Sequence, residues 1–175
     1  DYLRVYMNSA YQAYSGSPYP NSAFIKKISF PEFVKDIPII DSYFYRIESI
    51  DFHEGIDTIG GIEYLYLIKN IVLPSTLLSF PQFINESGDV RGVFDYCPQL
   101  VSVVIQSDLI SDIPNYAFFE NFHLQYVYIQ SDITSIGEYA FFNAVSLRDI
   151  LLNGDSITLA PTAFMFRNYG YFMIS

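Results

Sequence analysis

Residues 108–131 read DLISDIPNYAFFENFHLQYVYIQS, and residues 132–154 read DITSIGEYAFFNAVSLRDILLNG; a third copy opens at Asp155 as DSITLAPTAFMF. Phe118, Phe141 and Phe164 fall 23 residues apart, each preceded by an alanine (Ala117, Ala140, Ala163). A period of that size is the mark of a solenoid, because one such unit is too small to close a core and must bury its apolar face against its neighbours.

Working outward, each clear unit carries Ile-x-x-Ile-(Gly/Pro)-x-Tyr-Ala-Phe and then an apolar triad. The triad is Leu147/Ile150/Leu152, Leu124/Val127/Ile129 and Leu100/Val103/Ile105, and further back Ile68/Ile71/Leu73, Ile47/Ile50/Phe52 and Ile25/Ile28/Phe30. Successive copies are 22, 21, 32, 24 and 23 residues apart. The last two members sit two positions apart, which predicts a short strand with one face inward and the residues between them outward. Stacked coils place these strands side by side as a parallel sheet. The Ala-Phe element is expected to wedge a ring inside each coil, beside a residue small enough to admit it. Gln106-Ser107-Asp108, Gln130-Ser131-Asp132 and Asn153-Gly154-Asp155 are expected as turns just after the strand, with Ser and Asp side chains capping local backbone N–H groups. Pro31 and Pro74 take the same exit in earlier units. The 32-residue interval holds an insertion, Pro74–Val93, about nine residues longer than a normal coil; it is expected as a loop or as a lengthened repeat packed by Phe80 and Phe83.

Composition agrees with one well-cored domain. Of 175 residues, 51% are hydrophobic and only 16% charged, and the aromatic content is 16 Tyr and 16 Phe with no Trp. A net charge of −10 without a Lys/Arg cluster argues against nucleic acid and against an anionic membrane surface. The single cysteine, Cys97, excludes an internal disulfide and a Cys-rich metal site. No run of 18 or more apolar residues is present. The sequence opens on Asp1 rather than Met, so a segment upstream is expected, a signal peptide among the candidates.

The phrases IGEYAFFNAVSLRDILL and IPNYAFFENFHLQYVYI resemble the BspA-like leucine-rich repeats, and Phe94-x-x-Cys97-x-x-Leu100 fits with Cys97 in that family's cysteine slot. Asn121 and Ala144 occupy the slot in later units. The similarity is strong over residues 90–165 and weaker over 20–90, and Gly170 stands where the final unit should have Leu. The resemblance implies a right-handed, β-rich leucine-rich repeat solenoid, with a parallel sheet on the concave face and irregular turns and short helical segments on the convex side. Residues 1–20 would be an N-terminal extension or cap, and residues 21–175 a solenoid of about six to seven units with the insertion at 74–93. The resemblance further implies an exported or cell-surface protein, bacterial in the main, associated with adhesion. DYLRVYMNSA (residues 1–10) is similar to the segment that follows the lipid anchor in surface lipoproteins of Bacteroides-type bacteria, which implies a lipid anchor upstream and an outer-membrane location.

Catalysis finds little support in the residues. His53 and His123 stand in no metal-binding or triad-like spacing, and Cys97 is expected to face the core as an inert thiol. Asp36, Asp41, Glu48, Asp51, Glu54 and Asp57 form an acidic run in an irregular segment, which reads as a solvated face in the absence of a calcium-loop motif. Gly60-Gly61 reads as a turn without the Lys-Ser/Thr of a phosphate loop, and Asn85-Glu86-Ser87 is a glycosylation sequon. No cofactor is expected.

Binding has geometry behind it. The outward positions line the sheet, and from them the candidate ligand-binding set is Asp51, His53, Val104, Gln106, Tyr126, Tyr128, Gln130, Asp149 and Leu151. Tyr126 and Tyr128 lead it, as two outward aromatics on one strand. The reading that follows is a non-enzymatic surface protein binding a protein or glycan through its concave face. The alternatives are a structural spacer with no ligand and, third, an acidic carbohydrate-active enzyme needing two converging carboxylates within 36–57.

Overall fold

The computed structural model describes residues 3–4, 25–80, 82–84 and 88–166. In chain order the strands are β1 (Leu3–Arg4), β2 (Lys27–Ser29), β3 (Asp36–Ile40), β4 (Ser49–Asp51), β5 (Thr58–Ile62), β6 (Asn70–Leu73), β7 (Phe83–Ile84) and β8 (Val90–Arg91). They continue as β9 (Ser102–Ile105), β10 (Asp112–Ile113), β11 (Tyr126–Asp132), β12 (Ser135–Ile136), β13 (Asp149–Asn153) and β14 (Thr158–Leu159). Each of the six triads supplies one rung of a parallel stack. β1, β2 and β4 form one sheet, and β6, β9, β11 and β13 a second, with β6, β9, β11 and β13 side by side in that order. The register matches the repeat: Ile71, Val103, Val127 and Ile150 align across the second sheet, as do Leu73, Ile105, Ile129 and Leu152.

After β2, β4, β9, β11 and β13 the chain forms a second strand on the other side of the core. β3 pairs β5, and β10, β12 and β14 form a three-stranded parallel sheet. These strands come from the Ile-x-x-Ile part of the phrase. The short helical segments expected there reduce to one 3-10 turn, Ser42–Phe44, among the described residues. No described helix is long and apolar enough to cross a membrane.

The core runs the length of the stack as one cluster. Phe94, Phe118 and Phe141 are fully buried, and with Phe164 they make a column of parallel rings, centroids 5.3, 4.9 and 5.0 Å apart. Fully buried Ala117 and Ala140 leave room for them. The chain turns here through left-handed backbone at Tyr96, Glu120 and Asn143, two positions past each ring, with Tyr116 and Tyr139 left-handed as well two positions before theirs. Such a conformation is unfavourable for residues with a Cβ. It is held by hydrogen bonds to the next coil: the N–H of Tyr96 donates to Phe119 O (2.9 Å), that of Glu120 to Phe142 O (2.8 Å) and that of Asn143 to Met165 O (3.1 Å).

Polar side chains inside the stack tie coil to coil. The Asn121 side chain, fully buried, accepts from Cys97 N (2.9 Å) and donates to Phe94 O (2.6 Å). Ser131 Oγ donates to Ser107 O (2.6 Å) and accepts from Ile110 N, while Ser107 Oγ donates to Leu77 O. The serines thus bridge coils as well as capping locally, and β11 runs on through Gln130–Asp132 where a turn was expected. Gly60-Gly61, expected as a turn, lies inside β5. There a Cβ on Gly60 would stand 2.8 Å from Ile39 N, so a glycine admits the close backbone of β3. The insertion builds the antiparallel pair β7–β8 and returns Phe80 edge-on to Phe94 and Phe118. The Phe83 side chain, the sequon at Asn85 and Gly170 lie outside the described residues.

Candidate functional site

Strict alternation along the strands decides what the sheet presents. In β11, Val127 and Ile129 point inward while Tyr126 (44% exposed) and Tyr128 (39% exposed) point outward, as the triad spacing requires. Parallel register then aligns the outward positions into rows. Asn70, Ser102, Tyr126 and Asp149 form one row, in which Ser102 Oγ donates to Asn70 Oδ1 (2.7 Å). Val72, Val104, Tyr128 and Leu151 form the next, an apolar row that ends on a Leu151 63% exposed. Exposed Gln106, just past β9, Gln130, inside β11, and Asn153, closing β13, lie beyond it. Seven of the nine sequence-derived candidates therefore share this face.

Asp51 and His53 do not. Asp51 closes β4, in the other sheet, and β4 is not hydrogen-bonded to β6. Its carboxylate pairs with Lys27 Nζ at 2.5 Å. His53 is half-buried, past the end of β4, with its Nδ1 2.7 Å from Glu54 O. His123 is exposed, with Nδ1 2.6 Å from Pro98 O. Cys97 is fully buried with Sγ 3.3 Å from Ile62 O, and burial pushes its thiol up to about 12, far from a reactive thiolate.

The acidic run over 36–57 is not an irregular segment; it spans β3, the 3-10 turn and β4. Its carboxylates disperse into separate contacts: Glu48 with Lys26 (3.0 Å), Asp57 with Lys35 (3.6 Å), Asp36 with Thr58 Oγ1 (2.7 Å) and Glu54 with Ser75 Oγ (2.7 Å). Among the described residues, no group of three or more His, Cys, Asp or Glu is arranged to hold a metal ion.

A different set of acids converges. Ile40 pairs with Ile62, and the N–H groups of Ile62 and Tyr64 donate to Val93 O and Asp95 O, so Asp41, Glu63 and Asp95 occupy one position of three successive coils. Glu63 is 9% exposed and Asp95 only 1%. Burial raises Glu63 to about 7, with repulsion from Asp95 adding to it, Arg91 pulling the other way and Asp41 adding a smaller repulsion. Burial also raises Asp95, although Arg91 donates to its Oδ2 at 2.7 Å and pulls the other way. Asp95 Oδ1 has no hydrogen-bond partner. A carboxylate this deeply covered is out of a substrate's reach. The signal for the ladder was in the sequence: 32 positions separate Glu63 from Asp95, as they do Ile68 from Leu100.

Residues 90–174 match the BspA type leucine rich repeat region, in 6 copies. No curated protein and no solved structure matches the chain. The matched stretch is the part of the solenoid built on the phenylalanine column and the Asn121 bridge, and the register across β6, β9, β11 and β13 carries the same coil beyond it. By this repeat and the solenoid it builds, residues 90–174 of the chain are a BspA-type leucine-rich repeat region.

Proposed function

We propose that this is an exported, non-enzymatic protein of the cell surface that holds a macromolecular partner on the outward face of β6–β9–β11–β13, in the manner of an adhesin. The family is typically associated with the bacterial surface. The observation that carries the reading is the apolar row with its two exposed tyrosines. Tyr126, Tyr128 and Leu151 contribute nothing to the core, yet they stand together in open solvent. Tyrosine in such a place offers a large rigid contact and a hydroxyl at low entropic cost.

The test is a binding screen of the chain against purified extracellular-matrix proteins, run beside a Tyr126→Ser/Tyr128→Ser variant. Capture that is lost in the variant, at a melting temperature within about 2 °C of the parent, supports the reading. Capture that survives the double substitution moves the site elsewhere. Silence across matrix proteins and glycans together favours a structural spacer.

A further inference from the structure

We infer that the four-strand face is a site for an uncharged oligosaccharide. The inference rests on the reading of that face as a binding surface and narrows its ligand class.

Charge is the first argument. The chain carries 28 formally charged Lys, Arg, Asp and Glu side chains, 9 basic and 19 acidic. On the outward positions of this sheet only Asp149, at the start of β13, and Asp132, at the end of β11, are among them. The rest is a middle row of apolar side chains flanked by hydroxyls and side-chain amides. An anionic ligand would meet two carboxylates and no cation on these positions, and a cationic one would find the two carboxylates at opposite ends of their strands rather than together. A sugar ring has what the face complements: an apolar C–H surface to lie on an aromatic ring, and hydroxyls that both donate and accept.

Placement of the polar groups is the second. Gln106 and Gln130 stand on adjacent strands beside the row that holds Tyr128, and Asn153, in register with Asp132 across a bulge, donates its side-chain amide to Gln130 O. The two glutamine amides each offer an acceptor and two donors, Asn153 keeps its Oδ1 and one N–H beyond the bond to Gln130 O, and adjacent strands lie about 4.8 Å apart. Hydroxyls on a chain laid across the strands can be met one strand at a time, while the rings of Tyr126 and Tyr128 stand under it.

Size is the third. Four strands spaced at about 4.8 Å and five residues rising about 3.3 Å each give a patch roughly 14 by 13 Å, near 200 Å², against the ~800 Å² that each partner gives to a standard protein interface. The patch is too small to hold a folded protein alone. It matches three or four linked sugar rings.

The experiment titrates the full chain with neutral tetrasaccharides, β-1,4- and α-1,4-linked glucose and β-1,4-linked N-acetylglucosamine, beside a sulfated heparin tetrasaccharide, and follows heat and tyrosine fluorescence. At least one neutral probe is expected to bind. Tyr128→Ala should weaken it about tenfold or more, Tyr128→Phe should retain most of the affinity, and Leu159→Ser, on the opposite sheet, should change nothing. Binding that prefers the sulfated probe, or survives Tyr128→Ala, overturns the inference. So does silence from every neutral probe at about 10 mM, where even a ligand of millimolar Kd would occupy most sites. Should a matrix protein bind through Tyr126 and Tyr128 while the sugars stay silent, the ligand class falls and the binding face stands.

Discussion

The coils of residues 25–80 and those of residues 88–166 reach the same architecture with different chemistry. In the later coils the inner position of the turn is Phe94, Phe118, Phe141 and Phe164; in the earlier ones the cross-coil register puts Ile40 and Ile62 there. Where isoleucine sits, the chain stays extended for five residues, as β3 and β5. Where Ala-Phe sits, the extended part shrinks to two residues, β10, β12 and β14, and a left-handed tyrosine, Tyr116 or Tyr139, turns the chain just before Ala-Phe. A left-handed residue two positions after the inner side chain, by contrast, occurs in both regions, at Tyr64 as at Glu120. β-branched side chains favour a pleated surface, whereas a stack of flat rings needs a small neighbour and a bend. The family match begins at residue 90 because it follows the Ala-Phe phrase, while the coil itself begins earlier.

The largest effect is expected from breaking the ring column. Phe118 is fully buried between Phe94 and Phe141, with Phe80 against its edge. Phe118→Ala should cost about 3–5 kcal/mol in urea unfolding, because stacked coils above and below hold the cavity open. Ile62→Val, at the equivalent place in the earlier coils, removes one methylene and should cost about 0.5–1.5 kcal/mol. Equal losses at the two sites for Phe118→Ala and Ile62→Ala would show that the column adds nothing beyond its volume.

Next is the Asn121 bridge. Its slot holds Ala144 one coil later, so alanine fits the space. What Asn121→Ala removes is a satisfied pair, leaving Cys97 N and Phe94 O buried and unpaired. The expected loss is about 1–3 kcal/mol in the same assay. A neutral result would mean that water enters the slot.

The acid ladder marks the join between the two regions and gives a pH signature. Glu63 has an ordinary value of 4.5 and stands near 7 in the folded chain, so between those values the folded state binds more protons than the unfolded one. Stability therefore falls as pH rises through this window and levels off above it; Asp95, raised as well, adds in the same direction. Glu63→Gln removes the charge and keeps the shape. The variant should gain about 1–3 kcal/mol over the parent at pH 8 and nothing at pH 4, read from urea midpoints across the range. A difference between parent and variant that does not change with pH would mean that Glu63 ionises without penalty.

How far the sequence went follows from what each feature requires. The six triads were legible because their i, i+3, i+5 spacing needs only one strand's geometry. The phase that exposes Tyr126 and Tyr128 came with them. The second sheet was not, since two-residue strands such as Ser135–Ile136 exist only through the coil beside them. Asp51 and His53 lie off the four-strand sheet because the hydrogen-bonded ladder breaks between β4 and β6, a break that nothing local announces. The acid ladder was missed because it lies in the insertion's register, across 32 residues, and no local motif links its members.

The smallest effect is the one that tests the face itself. The apolar row begins on Val72, in the coil that has Ile62 inside, and ends on Leu151, in a coil that has Phe141 inside, so it crosses the border between the two chemistries. If the row belongs to the surface, its side chains answer to solvent and not to what lies beneath. Val72→Ser and Leu151→Ser should then each change stability by no more than about 0.5 kcal/mol. A loss confined to Leu151 would mean that the last strand leans on its outward side chains to stay in register with β11. Two small and equal changes would leave the row with no structural work, and its apolar character would then call for a ligand.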